Sequence, residues 1–169
     1  RDRETAETSV HASLTGHLVF STLHTNNAAG TYTRLIDLGV NPKILTSAIN
    51  MAIAQRLVRR LCEKCKKETN LEGDQLELVK NVYNSIKDPT VEFTDKIFEP
   101  VGCPECNNSG YKGRIGIFEA ILSDKSIEQA LEMNPSEREI KKAAEAQGIM
   151  DMAQDGVTKI LKGMTSVEE

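Results

Sequence analysis

The sequence predicts an α/β chain broken by a clipped insertion and completed by a mostly helical part, and three observations carry this. Residues 17–23 form a short, β-branched, mostly apolar run between two helical stretches, which suits a buried strand of a parallel sheet. Residues 114–122 form a second such run directly after a turn cluster. Two Cys-x-x-Cys pairs, Cys62/Cys65 and Cys103/Cys106, account for all 4 cysteines and bracket residues 66–102.

The elements follow in order. Residues 1–14 read as a helix, with acidic residues in the first turn and Thr15-Gly16 as its stop. The strand over 17–23 ends in a polar cluster, His24-Thr25-Asn26. Asn26 is placed to cap a helix over 27–38 that Gly39 ends. Asn41-Pro42 starts another helix, whose apolar stripe through Ile44, Leu45, Ala48, Ile49, Ala52, Ile53 and Leu57 delivers the chain to Cys62. Residues 73–87 read as a helix with Leu76, Leu78, Val79, Val82, Tyr83 and Ile86 as its apolar positions, ended by Asp88-Pro89. Residues 107–110 make a turn before the strand over 114–122. Ser123-Asp124 caps a short helix. Asn134-Pro135-Ser136 opens a second that Gly148 closes, residues 151–162 form a third that Gly163 closes, and Thr165-Ser166 begins a fourth. There is no internal repeat and no low-complexity tract.

Four cysteines in two such pairs are what a closed tetrahedral zinc site requires. Two intervening residues let one tight turn present both sulfurs to one ion, and the second pair completes the tetrahedron. The ligands expected are Cys62, Cys65, Cys103 and Cys106, and the zinc is structural, since a catalytic zinc keeps an open position and four thiolates leave none. A redox Cys-x-x-Cys opens a helix after a strand and needs only one pair; neither pair here has that setting. Two disulfides belong mostly to secreted chains, and nothing resembling a signal peptide precedes the pairs, so a reducing, cytoplasmic compartment is expected.

The formal charge of −4, an aromatic content of 4% and the absence of Trp argue against a nucleic-acid binder. Arg56, Arg59 and Arg60 are too few, with Glu63 beside them, for a polyanion or lipid site; a solvated face or a subunit contact is more economical. No apolar run approaches the roughly twenty residues that cross a bilayer. The chain opens on Arg1, already in helical sequence, and is expected to be part of a longer protein.

A polar cluster at the end of a buried parallel strand is where α/β sheets place ligands. His17 and His24 stand an odd number of residues apart, so on an extended segment they face opposite ways and do not form one site. A lone histidine at a strand end is more often a hydrogen-bonded loop residue than a catalytic one.

Several stretches carry a resemblance that the residue pattern alone does not. Arg1-Asp2-x-Glu4-Thr5-Ala6, residues 14–26 (LTGHLVFSTLHTN), residues 54–62 (AQRLVRRLC), and Cys103-Pro104-x-Cys106 with the following Gly110-Tyr111-x-Gly113-Arg114-x-Gly116-Ile117-x-Glu119 resemble the C-terminal half of the secretion-type motor ATPases of type II secretion and type IV pilus assembly. The tail, Arg138 to Ala144, Gly148-Ile149-Met150, Asp155-Gly156-x-x-Lys159 and Gly163-x-Thr165-Ser166, is similar to that family's ending.

The resemblance implies a RecA-like P-loop NTPase fold, a homo-hexamer, ATP and Mg as cofactors of the full-length protein, and partners in an inner-membrane secretion or pilus platform. His24 then matches the catalytic histidine of the family's histidine box and His17 its structural member. Thr25, Gln55 and Arg56 match nucleotide-contacting positions, although a polar face on a packed helix accounts for Gln55 equally well. Asp2 falls just past the Walker B Glu. The cysteines match a module of the assembly and secretion motors that the retraction motors lack. No Gly-x-x-x-x-Gly-Lys-Ser/Thr occurs in the chain, so the phosphate cradle is missing and the chain alone is expected to be inactive. The organisation expected is the latter part of an ATPase domain over 1–61, a zinc module over 62–106, and a strand with a helical subdomain over 107–169. Because strands that would cover residues 17–23 are expected upstream, an exposed edge and self-association are expected as well. The alternative is a zinc-stabilised protein-interaction module without nucleotide chemistry.

Overall fold

The computed structural model describes residues 2–169. In chain order it contains α1 (Arg3–Leu14), α2 (Ala29–Asp37), α3 (Pro42–Ala48), β1 (Met51–Leu61), β2 (Lys67–Asn70), α4 (Gly73–Tyr83), β3 (Lys96–Glu99), β4 (Tyr111–Leu122), α5 (Lys125–Met133), α6 (Glu137–Ala144) and α7 (Met152–Leu161), with 3-10 turns at Pro104–Cys106 and Glu145–Gln147. The chain is thus mixed α/β, as expected. It divides into two compact units, one of residues up to Ala54 with Glu119–Ile149, the other of Gln55–Phe118 with Met150–Glu169. The cysteine-bracketed stretch falls wholly in the second, and β1 and β4 each contribute to both.

In the first unit, α1 is capped by Asp2, whose carboxylate accepts the Thr5 N–H at 2.9 Å. Arg1 lies outside the described residues, so the expected start of this helix is seen only from Asp2. Gly16 takes a positive φ of 91°, closing α1 where expected. α2 starts two residues later than predicted, with Ala28 rather than Asn26 at its cap position and Asn27 Oδ1 accepting the Gly30 N–H at 2.8 Å. α1 packs on α3, α3 on α5, and α6 on both α2 and α5. They enclose Val10, Tyr32, Leu45, Ile127, Leu131 and Ile140, with the Tyr32 hydroxyl 2.9 Å from Ser123 Oγ.

In the second unit the core is Leu71, Val79, Ile97, Val157 and Ile160, ringed by Leu76, Val82, Tyr83, Ile86 and Phe93. α7 packs on α4 and β3. It starts with a reciprocal cap, Asp151 accepting the Gln154 N–H at 2.8 Å while Gln154 accepts the Asp151 N–H at 3.0 Å.

Three expectations are corrected. Residues 17–23 form no strand: Leu18 is 81% and Phe20 89% exposed. A parallel strand is stable only when neighbours pair with its backbone and helices cover its faces, and among the described residues nothing pairs with this segment. The helix begun at Pro42 stops at Ala48, and residues 51–61 are β1 rather than its continuation. Burial there alternates at Ala52 and Ala54, with Ile53 and Leu57 outward. Pairing with the β-branched β4 overrides the helical propensity of the alanines. The Cys62 N–H donates to Gly110 O at one end and the Ser123 N–H to Asn50 O at the other, so β1 and β4 run in opposite directions. Finally, Thr165-Ser166 opens no helix. The Thr165 hydroxyl donates to Arg59 O at 2.9 Å and Ser166 Oγ meets the Tyr111 hydroxyl at 2.7 Å, ties that hold this stretch against β1 and β4 instead.

β2 and β3 were not expected. They pair antiparallel from Lys67↔Glu99 to Asn70↔Lys96, supported by the Lys96–Glu68 ion pair at 3.2 Å. Ile97 is their one fully buried side chain.

Truncating Ile97 to Ala should destabilise the chain by about 2–5 kcal/mol through the cavity it leaves, whereas Phe20→Ser should change stability by less than about 0.5 kcal/mol. Urea unfolding of the two variants beside the parent chain measures both; equal effects would contradict the burial assigned here.

Candidate metal centre

Each cysteine pair sits on a tight turn fixed by its own backbone. β1 ends at Leu61, and Cys62 O accepts the N–H groups of both Cys65, at 3.2 Å, and Lys66, at 2.9 Å, folding the first pair into a knuckle. In the second, Cys103 precedes the Pro104–Cys106 turn, and Asn107 and Asn108 adopt positive φ of 51° and 60°, which Asn tolerates better than most residues. The Asn108 N–H returns to Cys103 O at 2.9 Å. The antiparallel β2/β3 ladder begins just after Cys65 and ends just before Cys103, and so draws the two knuckles together.

The four sulfurs lie within 4.8 Å of one another, with separations of 3.9 Å for Cys62–Cys103, 3.8 Å for Cys65–Cys106 and 3.7 Å for Cys103–Cys106. A tetrahedron with metal–sulfur bonds of about 2.3 Å has edges of about 3.8 Å. The donor set and its spacing therefore fit a metal ion such as zinc. Cys62 and Cys106 are buried, Cys65 and Cys103 half-buried. Burial works against a thiolate at Cys106, but the N–H groups of Cys103, at 3.2 Å, and Gly110, at 3.3 Å, point at its sulfur and bring it down to about 6. Burial pushes Cys65 up to about 11, and its thiol neighbours add to the rise. The cluster thus already favours one thiolate; a bound cation would draw the protons from the rest.

Gly110 is a member of the site that the cysteine pattern did not reveal. It has a φ of 77°, and a Cβ there would lie 2.4 Å from Pro100 Cβ, so only glycine brings this N–H to Cys106. Lys66 is a second. Its Nζ donates to Gly163 O at 3.0 Å, pairs with Glu63 at 2.8 Å and lies 4.8 Å from the Phe98 ring centre, tying the first knuckle to the end of α7.

The residues expected around a nucleotide are distributed over both units. His17 closes the end of α1: its Nδ1 lies 3.1 Å from Thr15 Oγ1 and 3.2 Å from Ala12 O. His24 is exposed and Thr25 half-buried in the segment before α2. Gln55 and Arg56 lie on β1, not on a helix, both exposed, with the Gln55 amide nitrogen 2.9 Å from where a Cβ on Gly116 would be.

Residues 1–169 match, end to end, the family described as Type II/IV secretion system protein. The chain belongs to that family. Over its whole length it is 41% identical to the type IV pilus assembly ATPase TfpB of Acinetobacter baylyi, 40% to the type IV pilus assembly ATPase PilB of Pseudomonas aeruginosa and 40% to the type II secretion system ATPase E of Vibrio cholerae. It spans 28%, 29% and 32% of those proteins respectively, under a third of each. Among its described residues no helix is long and apolar enough to cross a membrane.

Elemental analysis of this secretion-family chain should find one tightly held ion per chain, absent from Cys62→Ser. Gly110→Ala should keep all four ligands yet lose the ion to a chelator roughly 10–100-fold more readily, the usual cost of a lost outer-shell contact. Retention equal to the parent chain's would show that the Gly110 N–H is not needed.

Proposed function

We propose that the chain is the C-terminal portion of a cytoplasmic, hexameric RecA-like motor ATPase, peripheral to the bacterial inner membrane through its partners. The motor couples ATP hydrolysis to pseudopilin or pilin assembly in type II secretion or type IV pilus biogenesis. The observation that carries this reading is an identity of about 40% over all 169 residues to proteins named as ATPases of these two systems.

In this reading the Walker A loop and Walker B Glu, with their ATP and Mg, belong to a part of the protein that precedes these residues. His24 is the catalytic histidine, acting near the γ-phosphate. Thr25, Gln55 and Arg56 contact nucleotide, and His17 holds the end of α1. The exposure of His24, Gln55 and Arg56 accords with side chains that meet a ligand or a neighbouring subunit. Zinc on Cys62, Cys65, Cys103 and Cys106 is a structural clamp that supplies no chemistry to hydrolysis.

A second reading, a zinc-stabilised interaction module, has its own supporting observation. The stretch between the cysteine pairs carries most of a separate apolar core, built on Leu71, Val79 and Ile97. The two readings differ in what the longer protein does with ATP. The chain alone should show no Mg-dependent ATP hydrolysis above buffer. The protein that includes the upstream phosphate loop should turn over ATP, with kcat reduced roughly 100-fold by His24→Ala. Turnover by the chain alone, or full turnover without His24, would refute the assignment of roles; no turnover by the longer protein would favour the interaction module.

A further inference from the structure

The start of α2 is buried. Ala28 and Ala29 have no exposed surface, so the N–H groups that open this helix cannot be met by water and need partners from the protein. Ala28, at the cap position, provides none from its own side chain. Two acidic residues distant in sequence anchor the groups that meet them, Glu119 directly and Glu137 through Asn27. The Ala28 N–H donates to Glu119 Oε1, on β4, at 2.5 Å. The Asn27 amide donates to Glu137 Oε2, at the start of α6, at 3.0 Å, while Asn27 Oδ1 accepts the Gly30 N–H at 2.8 Å. Gly30 is where these groups converge: a Cβ there would lie 3.1 Å from Glu137 Oε1 and 3.4 Å from Thr25 Cβ. Carboxylates at a helix N-terminus are favoured by the helix dipole, and hydrogen bonds to a charged acceptor are about twice as strong as neutral ones.

We propose that Glu119 and Glu137 are positioning residues for the His24 loop, clamping residues 25–30 to β4 and α6 so that His24 is presented from a fixed backbone. The proposal rests on the reading of His24 as the catalytic histidine. It extends that reading to two carboxylates outside the residues assigned to nucleotide or metal. A group that must meet a reacting phosphate tolerates little displacement, since a misplacement of about 1 Å can cost roughly 100-fold in rate. His24 sits on an irregular segment and owes its placement to what anchors the residues after it.

Two measurements test this. In the chain itself, Glu119→Ala should speed amide hydrogen exchange at residues 25–30 by roughly 10–100-fold, the effect of losing a charged hydrogen bond to a buried N–H, and leave β2 and β3 unchanged. In the longer ATP-hydrolysing protein, Glu119→Ala should lower kcat about tenfold with KM within about twofold. Glu119→Gln, whose side-chain oxygen still accepts the Ala28 N–H, should recover most of both effects and keeps the test open should the Ala variant fold poorly. Glu137→Ala should reproduce the loosening through Asn27.

Unchanged exchange at residues 25–30, or a Gln variant as impaired as Ala, overturns the clamp. Unchanged kcat in Glu119→Ala, with His24→Ala still inactivating, overturns the positioning role and leaves His24 standing. Full turnover in His24→Ala together with a loosened loop in Glu119→Ala defeats the reading of His24 and reduces the clamp to packing, which overturns the positioning role too.

Discussion

Four sulfurs held within 4.8 Å of one another impose a demand that much of the second unit is built to meet. As four thiolates they would repel strongly, because burial removes the water that screens them; as four thiols they would leave a polarizable cluster with little to hold it. The backbone compromises by aiming two N–H groups at Cys106. A cation such as zinc would complete what those donors begin. Around this point the chain is tied repeatedly: Cys62 N–H to Gly110 O, Leu61 N–H to Met164 O, and the Lys66 ammonium to Gly163 O. The end of β1, the approach to β4 and the exit from α7 therefore all depend on the knuckles keeping their shape.

The same region shows how a long excursion between the cysteine pairs is accommodated. Closure entropy grows only with the logarithm of loop length, and the β2/β3 ladder removes most of the remaining freedom by starting next to one pair and finishing next to the other. The stretch then contributes Leu71, Val79 and Ile97 to a core completed by α7. Arg59, stacked 4.1 Å over the Tyr111 ring and paired with Glu169, adds a charged tie between β1 and the last residues described.

Most of the helices were legible because their signals are local. Asp2, Asp124, Ser136 and Asp151 each accept a first-turn N–H, and Gly16, Gly39, Gly148 and Gly163 each take the positive φ that ends or follows a helical stretch. β4 was legible from its β-branched run, which in fact starts three residues earlier, at Tyr111. The misreadings share a cause. Residues 51–61 mix alanines with Ile53, Leu57 and Val58, a composition that serves a helix or a strand until a partner is present. β2 and β3 contribute a single buried side chain, too little for a periodicity. Residues 17–23 have the composition of a buried strand but lack a paired neighbour among the described residues.

The sequence by itself determined the candidate ligand set, since the identity and spacing of Cys62, Cys65, Cys103 and Cys106 are covalent facts that need no fold to be read. It also determined most of the helix caps and stops, which rest on bonds between residues two to five apart, and the family, which shows in blocks of residues along the whole chain. Only the tertiary structure decided that β1 is a strand, that a polar hairpin brings the cysteine pairs together, that the Gly110 N–H points at the Cys106 sulfur, and that Glu119 and Glu137 meet the start of α2. Each of these joins groups far apart in the chain. The free energy of such a contact depends on burial and on a partner's position, neither of which is written in the residues adjacent to it.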